Sequence, residues 1–417
     1  MRTLALLLTS AALGAGAMSA AIARGPDAPS PVAQEPWDRR PGPDSGRVAI
    51  LLDALGRTDP VVCELLGDQI GNVWSDGERA GVGRLAAAPR SVQAAKDSIG
   101  GQVTDPRAID RLVSELSASN ACVRRIAAKM LGNSAVAPAR LRALLGDASP
   151  TIRESAAHAV GVGEVKELRT TLESMLRDRD PAAGAMAAWA LGEIEDRASV
   201  PSLIEAMRGT EARMRLAAIW ALGQIEDARA VPEVIPALRD GDPAIRAMAA
   251  DVLGDIEDDA AIAPLERALG SDADARVRTE AAASLGELSA ASSAAALGRA
   301  LSDADVRVRR AAASSLGDLD DLKTAPSGLV AALRSSDAEL RHNAANALAE
   351  IADPATAAAL VELLSDRSSE IRRHAAEALG EIGTPDAVRG LTRALEDSDP
   401  EVRRAAVEAL AEAKDDN

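Results

Sequence analysis

His158, His342 and His374 are the only imidazoles in the chain, and Cys63 and Cys122 the only thiols, so the metal and nucleophile chemistry it can support is narrow. No His-Glu-x-x-His, no cysteine pair at zinc spacing and no Gly-x-Ser-x-Gly occurs, which removes zinc-protease, structural-zinc and nucleophile-elbow readings. The Gly-Val-Gly triplets at 81–83 and 161–163 lack the third glycine and the preceding strand of a dinucleotide fingerprint, and they read as helix ends or turns. His374 and Glu377 share a helix face, and a single pair of this kind reads as a surface polar pair. No catalytic residue, metal ligand or cofactor is expected.

What remains is recognition chemistry. The chain has no Tyr, no Phe and four Trp, yet AAWALGEIED (187–196) and AAIWALGQIED (217–227) place Trp189 and Trp220 at one repeated position. The repeat extends well beyond these two segments. An aliphatic residue followed by Gly or Ala recurs at Ile70, Ile99, Leu131, Val160, Leu191, Leu222, Leu253, Leu285, Leu316, Leu348, Leu379 and Leu410, at intervals of 29 to 32 residues. A period this steady is the signature of a stacked-repeat architecture.

Counting back from each of these anchor residues, apolar side chains fall at minus 8, minus 4 and minus 1, as Ile245, Ala249 and Val252 do before Leu253. This is the stripe of a buried helix face. Asp and Pro open the helix, and the Gly after the anchor is expected to end it. Segments such as AVPEVIPALRD (230–240) supply a second helix per unit, in which Pro236 should kink the helix or free a carbonyl. The expected fold is all-α, a right-handed α-solenoid of about twelve helical hairpins.

The shared pattern D-P-x-[VI]-R-x-x-A-A-x-A-L-G-x-[IL] resembles the HEAT repeat family, in particular the PBS lyase HEAT-like subclass. The resemblance is strong over 105–417 and weak over 47–104, read as degenerate repeats. It implies an armadillo-like superhelix with one helix of each pair lining a concave face. HEAT-like repeats also occur in enzymes. Deoxyhypusine hydroxylases carry repeated His-Glu pairs as iron ligands, and no His-Glu dipeptide is present here. A bilin-lyase-like enzyme, or a binder of a planar apolar ligand in the concave groove, is the alternative reading, with His158 its one nominee.

Arg124, Arg153, Arg215, Arg246, Arg278, Arg309, Arg341, Arg372 and Arg403 stand seven residues before their anchors, with Gly184 a gap in the series. An Asp commonly precedes the Arg by about four residues, as Asp242 precedes Arg246 and Asp399 precedes Arg403. Stacking is expected to turn these into an Arg and Asp ladder between units. Cys63 and Cys122 fall in the first and third units, roughly 16 to 20 Å apart if each layer adds 8 to 10 Å, so two free thiols are expected.

Trp189 and Trp220 lie two residues before their anchors. Elsewhere that place holds Lys129, His158, Asp251, Asn346, Glu377 and Glu408, so it is expected to face solvent. Together with Met186, Leu216 and Met248, the two indoles predict an apolar patch for a protein or extended-peptide partner. Asp251, Glu280, Glu377 and Glu408 would steer a basic one. The formal net charge of -17 argues against nucleic acid and suits a soluble monomer.

At the N-terminus, residues 1–23 have the basic start, short apolar run and Ala21-Ile22-Ala23 triplet of a secretory signal peptide, and 24–46 read as a Pro-rich flexible linker. No stretch of the sequence is a comfortable membrane span. The sequence therefore predicts a periplasmic or secreted, non-enzymatic scaffold without stable membrane insertion.

Overall fold

A computed structural model describes residues 45–56, 102–319 and 322–415. The signal-peptide reading, most of the linker and most of the degenerate repeats, with anchors Ile70 and Ile99 and with Cys63, lie outside the described residues. Helix α1 (Ser45–Leu55) is followed, from residue 106, by helical hairpins. They are α2 (Pro106–Glu115) with α3 (Ala121–Gly132), α4 (Pro138–Leu145) with α5 (Pro150–Val162), and α6 (Arg169–Met175) with α7 (Pro181–Ile194). Next come α8 (Val200–Met207) with α9 (Ala212–Ile225), α10 (Val231–Val234) with α11 (Pro243–Asp255), and α12 (Ile262–Ser271) with α13 (Ala275–Glu287). The last four are α14 (Ala294–Ala300) with α15 (Val306–Gly317), α16 (Ser327–Ala332) with α17 (Ala338–Ile351), α18 (Ala357–Leu363) with α19 (Ser369–Ile382), and α20 (Pro385–Ala394) with α21 (Pro400–Asp415). The second helix of each hairpin packs on the second helix of the next, in unbroken series from α3 to α21. This is an all-α solenoid.

The helices begin as their sequences require. Asp180, Asp242, Asp274 and Asp305 each accept a backbone N–H from the first turn of α7, α11, α13 and α15, and Pro181 and Pro243 fit where no N–H is needed. Pro236 stops α10 after one turn, and the chain continues from Ile235 to Arg239 as a 3-10 helix, which tolerates the missing donor better.

Most of the glycines after the anchors do not end their helices. Gly192, Gly223, Gly254, Gly286 and Gly380 lie within α7, α9, α11, α13 and α19. The left-handed residue comes later, four past the anchor, at Glu195, Glu226, Glu257, Ser289, Ala352 and Gly383. The internal glycines serve packing instead. A Cβ built on Gly192 would lie 2.9 Å from the Cα of Ala221, and one on Gly380 would lie 2.9 Å from the Cα of Ala409. Consecutive long helices touch backbone to backbone at these points.

Two apolar columns fill the space between the helix layers. Anchors Leu131 to Leu379 are buried without residual exposure, and so are Leu141, Leu172, Leu203, Val234, Leu265, Leu297, Leu329, Leu360 and Leu391 from the shorter helices. Each such side chain contributes about 1.5–3 kcal/mol on burial, repeated at every unit.

The arginine series ties neighbouring units together, though not through the aspartates expected. Asp242 caps α11 and Asp399 caps α21. The ladder partner is the Asp two residues ahead of the cap position in the following unit: Arg153 to Asp178, Arg215 to Asp240, Arg246 to Asp272, Arg278 to Asp303, Arg341 to Asp366 and Arg372 to Asp397, at 2.7–3.3 Å. The same Arg reaches back to carbonyls of its own loop, as Arg278 does to Asp272 and Ala273. The carboxylate in turn accepts the N–H of the cap residue, as Asp303 does from Asp305.

The exceptions follow the chemistry. Ser335 stands where Arg309 would find its Asp, so Arg309 keeps only its carbonyl contacts while Arg310 reaches Asp337. Where Gly184 replaces Arg, Gly209 replaces Asp, and Met214 fills the space, with its Cε 2.8 Å from where a Cβ on Gly184 would be. Arg124 holds the carbonyls of Ala118 and Ser119, and Arg403 those of Asp397 and Ser398.

The expectation of two free thiols is overturned. Cys122 is disulfide-bonded, and the chain's one other cysteine is Cys63, outside the described residues. The layer count failed because α1 packs directly on α2 and α3, with the N–H of Ser45 bonded to Asp105 and Arg111 paired to Asp53.

The ladder yields a differential test by chemical denaturation. Arg278→Ala strands the partly buried Asp303 and should cost about 2–3 kcal/mol, whereas Arg309→Ala, which leaves no carboxylate unpaired, should cost about 1 kcal/mol or less. Equal losses would contradict the ladder as described.

Candidate binding groove

The place two residues before the anchor was expected to face solvent. At the units that carry rings it does not. His158 is 3% exposed and Trp189 5% exposed, while Trp220 is half-buried. Their rings form a short column along consecutive helices α5, α7 and α9. His158 meets Trp189 edge to face at 5.2 Å between centroids, and Trp189 and Trp220 stack at 6.3 Å with 16° between planes.

Glycine provides the room. A Cβ on Gly161 would stand 2.7 Å from Cζ3 of Trp189, and one on Gly192 would stand 2.8 Å from Cζ3 of Trp220. Each indole lies over the glycine of the unit before it. The repeated Trp thus fills a slot that the repeated Gly opens, and Trp189 is a core side chain rather than a contact surface. Met186, Leu216 and Met248 are half-buried and pack against the same core. Ile50 and Val407 are the large apolar side chains exposed among the described residues, and neither belongs to this group.

His158 is no better placed for chemistry. Burial, then Lys129 and Arg125, push its pKa down to about 4, so it is a neutral imidazole packed on an indole. This leaves the planar-ligand reading without its one nominated residue.

Past the rings the long helices present carboxylates. Asp251, two before its anchor, is exposed, as are Asn346 and Glu408 in later units. A second column lies two residues after each anchor: Glu193, Gln224, Asp255, Glu287, Asp318, Glu350 and Glu381. Asp318, Glu350, Glu377, Glu381 and Glu408 line a groove of about 740 Å³ along α15 to α21. Sequence reasoning missed the second column, although the residue after the anchor's Gly or Ala is acidic in all but one of these units.

Burial, and then for most of them one another's charge, raises the pKa of these carboxylates. Crowding by protein, then Asp255, Glu280 and Glu287, pushes Asp251 up to about 8. Glu287 rises to about 7 through burial and then Asp255 and Glu280, and Glu193 to about 7 through burial and then Glu164 and Glu195. Burial with Glu226 raises Asp255, burial raises Glu280, and burial with Glu350 raises Asp318. Asp251 is enclosed by neighbouring helices yet open to water on the groove side. That open side tempers its desolvation, so the upward direction is what the geometry carries.

Two measurements check this description. Trp189→Ala empties a core slot and should lower unfolding stability by about 3–5 kcal/mol. A loss below 1 kcal/mol would place the ring outside the core. The pH dependence follows from the raised carboxylates. A group that binds its proton more tightly when folded contributes stability at low pH and loses it as pH rises through the folded pKa. Between about pH 6.5 and 7.5, above the unfolded value of His158 and where Glu193 and Glu287 ionise, the melting temperature should fall, and added salt should shrink the fall. His158 acts with the opposite sign, only below its unfolded value of 6.5. A melting temperature that rises over that interval would contradict the assignment.

Comparison with known proteins agrees with the architecture. A HEAT repeat profile matches residues 137–216, 200–286, 271–327 and 326–411, without distinguishing the PBS lyase HEAT-like subclass. No curated protein matches. Two of the solved structures that match are an engineered protein from a structural genomics consortium and human deoxyhypusine hydroxylase in complex with glycerol. The first is 23% identical with a TM-score of 0.49, covering 73% of this chain and 98% of its own. The second is 21% identical with a TM-score of 0.29, covering 61% and 99%. No helix among the described residues is long and apolar enough to cross a membrane. The matched repeats span most of the solenoid, and the chain belongs to the HEAT repeat family.

Proposed function

We propose that this chain is a non-enzymatic recognition scaffold whose groove holds a basic segment of another protein or an extended peptide. The observation that carries the reading is the run of carboxylates from Asp251 to Glu408 on successive long helices, four of which, Asp251, Asp255, Glu287 and Asp318, have their pKa raised by burial and then by neighbouring carboxylates. Like charges held side by side destabilise the free protein, and a Lys- or Arg-rich ligand relieves that cost on binding. Trp220, Met186, Leu216 and Met248 border the start of the acidic run and supply apolar contact for the same ligand. Trp189 has no part in it. Acidity of this kind also disfavours nucleic acid.

Export of a soluble monomer completes the proposal. The N-terminal 23 residues have a signal-peptide pattern, and a disulfide at Cys122 suits an oxidising compartment.

Peptide titrations of the full chain test it. A Lys-rich peptide should bind, and raising salt from about 50 to 200 mM should weaken binding several-fold. Changing Asp255, Glu287 and Asp318 together to Asn, Gln and Asn should weaken it at least tenfold, about 1.4 kcal/mol. An acidic peptide of the same length binding as well, or a triple variant indistinguishable from the parent, would sink the proposal.

A further inference from the structure

His342, Glu370 and His374 were not expected to meet, and the fold brings them together. His342 lies in the second turn of α17, while Glu370 and His374 lie one turn apart on the same face of α19, the helix packed against it. Each offers one ligand atom, and the three atoms fall within 4.8 Å of one another. The two imidazoles meet edge to face at 4.4 Å.

Two further observations point to a cation. Nδ1 of His342 is buried with no hydrogen-bond partner, while its Nε2 faces the side-chain amide of Asn346 at 3.2 Å; with the amide oxygen turned to accept an Nε2–H, Nδ1 presents its lone pair. Nδ1 of His374 is 3.0 Å from Oε2 of Glu377, the carboxylate support that orients a metal-binding histidine and leaves Nε2 as the ligand atom. That Nε2 now accepts from Arg373, whose half-buried guanidinium also pairs with Glu377. A positive charge already occupies the position facing the imidazole.

We propose that His342, His374 and Glu370 form a binding site for a divalent ion of the zinc type, entered when the Arg373 side chain swings aside. Two imidazoles and one carboxylate are a ligand set that suits Zn²⁺ and leaves a coordination position for water. His374 and Glu377 also line the acidic groove, but the cation site rests on its own three ligands and not on the groove proposal.

The test uses the full chain, stripped with chelator and free of any histidine tag, titrated with Zn²⁺ and with Co²⁺. One ion per chain is expected, with visible d–d bands for Co²⁺ and a Zn²⁺-dependent rise in melting temperature. His342→Ala and His374→Ala should each weaken binding at least tenfold. Glu370 is exposed, so Glu370→Gln should fold normally and still weaken binding about tenfold or more. Arg373→Ala, which removes the competing cation, should bind as tightly as the parent or tighter. Absence of stoichiometric uptake, or affinity unchanged in all three ligand variants, would overturn the assignment.

Discussion

Everything in this molecule depends on how closely one long helix lies on the next. Gly192 and Gly380 each sit within van der Waals reach of the neighbouring backbone, and side chains elsewhere on the contact are mostly Ala. Small residues at the crossing let the helices approach, and close approach brings side chains at equivalent places of successive units into direct contact. Whatever residue type the repeat puts at a given place is therefore forced to meet its own copies. The consequences differ by residue type, and they account for the chemistry of the surface.

Rings at such a place stack, as Trp189 and Trp220 do, and become part of the core. Arginine and aspartate at complementary places pair between units, as Arg278 and Asp303 do, and their mutual attraction lowers the Asp303 pKa. Carboxylates at equivalent places have no such relief. Asp255 and Glu287 occupy the same place in successive units, and burial, then nearby carboxylates, favours their protonated forms, as it does that of Asp251. One stacking geometry thus gives a stabilising charge ladder on one side and a strained, like-charged groove on the other. The imidazoles of His342 and His374, six and five residues before their anchors, meet across the same close contact without sharing a place in the repeat.

Much of this was legible in the sequence. The period, the buried stripe of Ile245, Ala249, Val252 and Leu253, and the Asp-Pro helix starts all follow from spacing and capping chemistry, and they specify a helical solenoid. What was not legible depended on contacts between units. The glycine after Leu191 looks like a helix stop when one unit is read alone, and only the neighbouring Ala221 reveals it as a contact point. Trp189 looked exposed because its equivalents are Lys, Asp and Glu, yet the same place is covered when the residue is a ring with a glycine beneath it. The ladder was foreseen with the wrong aspartate, since Asp242 is nearer in sequence to Arg246 but Asp272 is nearer in space. The disulfide at Cys122 escaped because distance was counted in regular layers, and α1 does not keep that count.

The central claim is that stacking sets two populations of carboxylate apart, one relieved by arginine and one raised by burial and then by crowding with its own kind. Side-chain carboxyl resonances followed by NMR across a pH titration test it most directly. Asp303 and Asp397 should titrate below the ordinary Asp value of 3.8, and Asp251, Glu193 and Glu287 well above theirs, the latter two near 7. A single population titrating between about 3.5 and 4.5 would contradict the account.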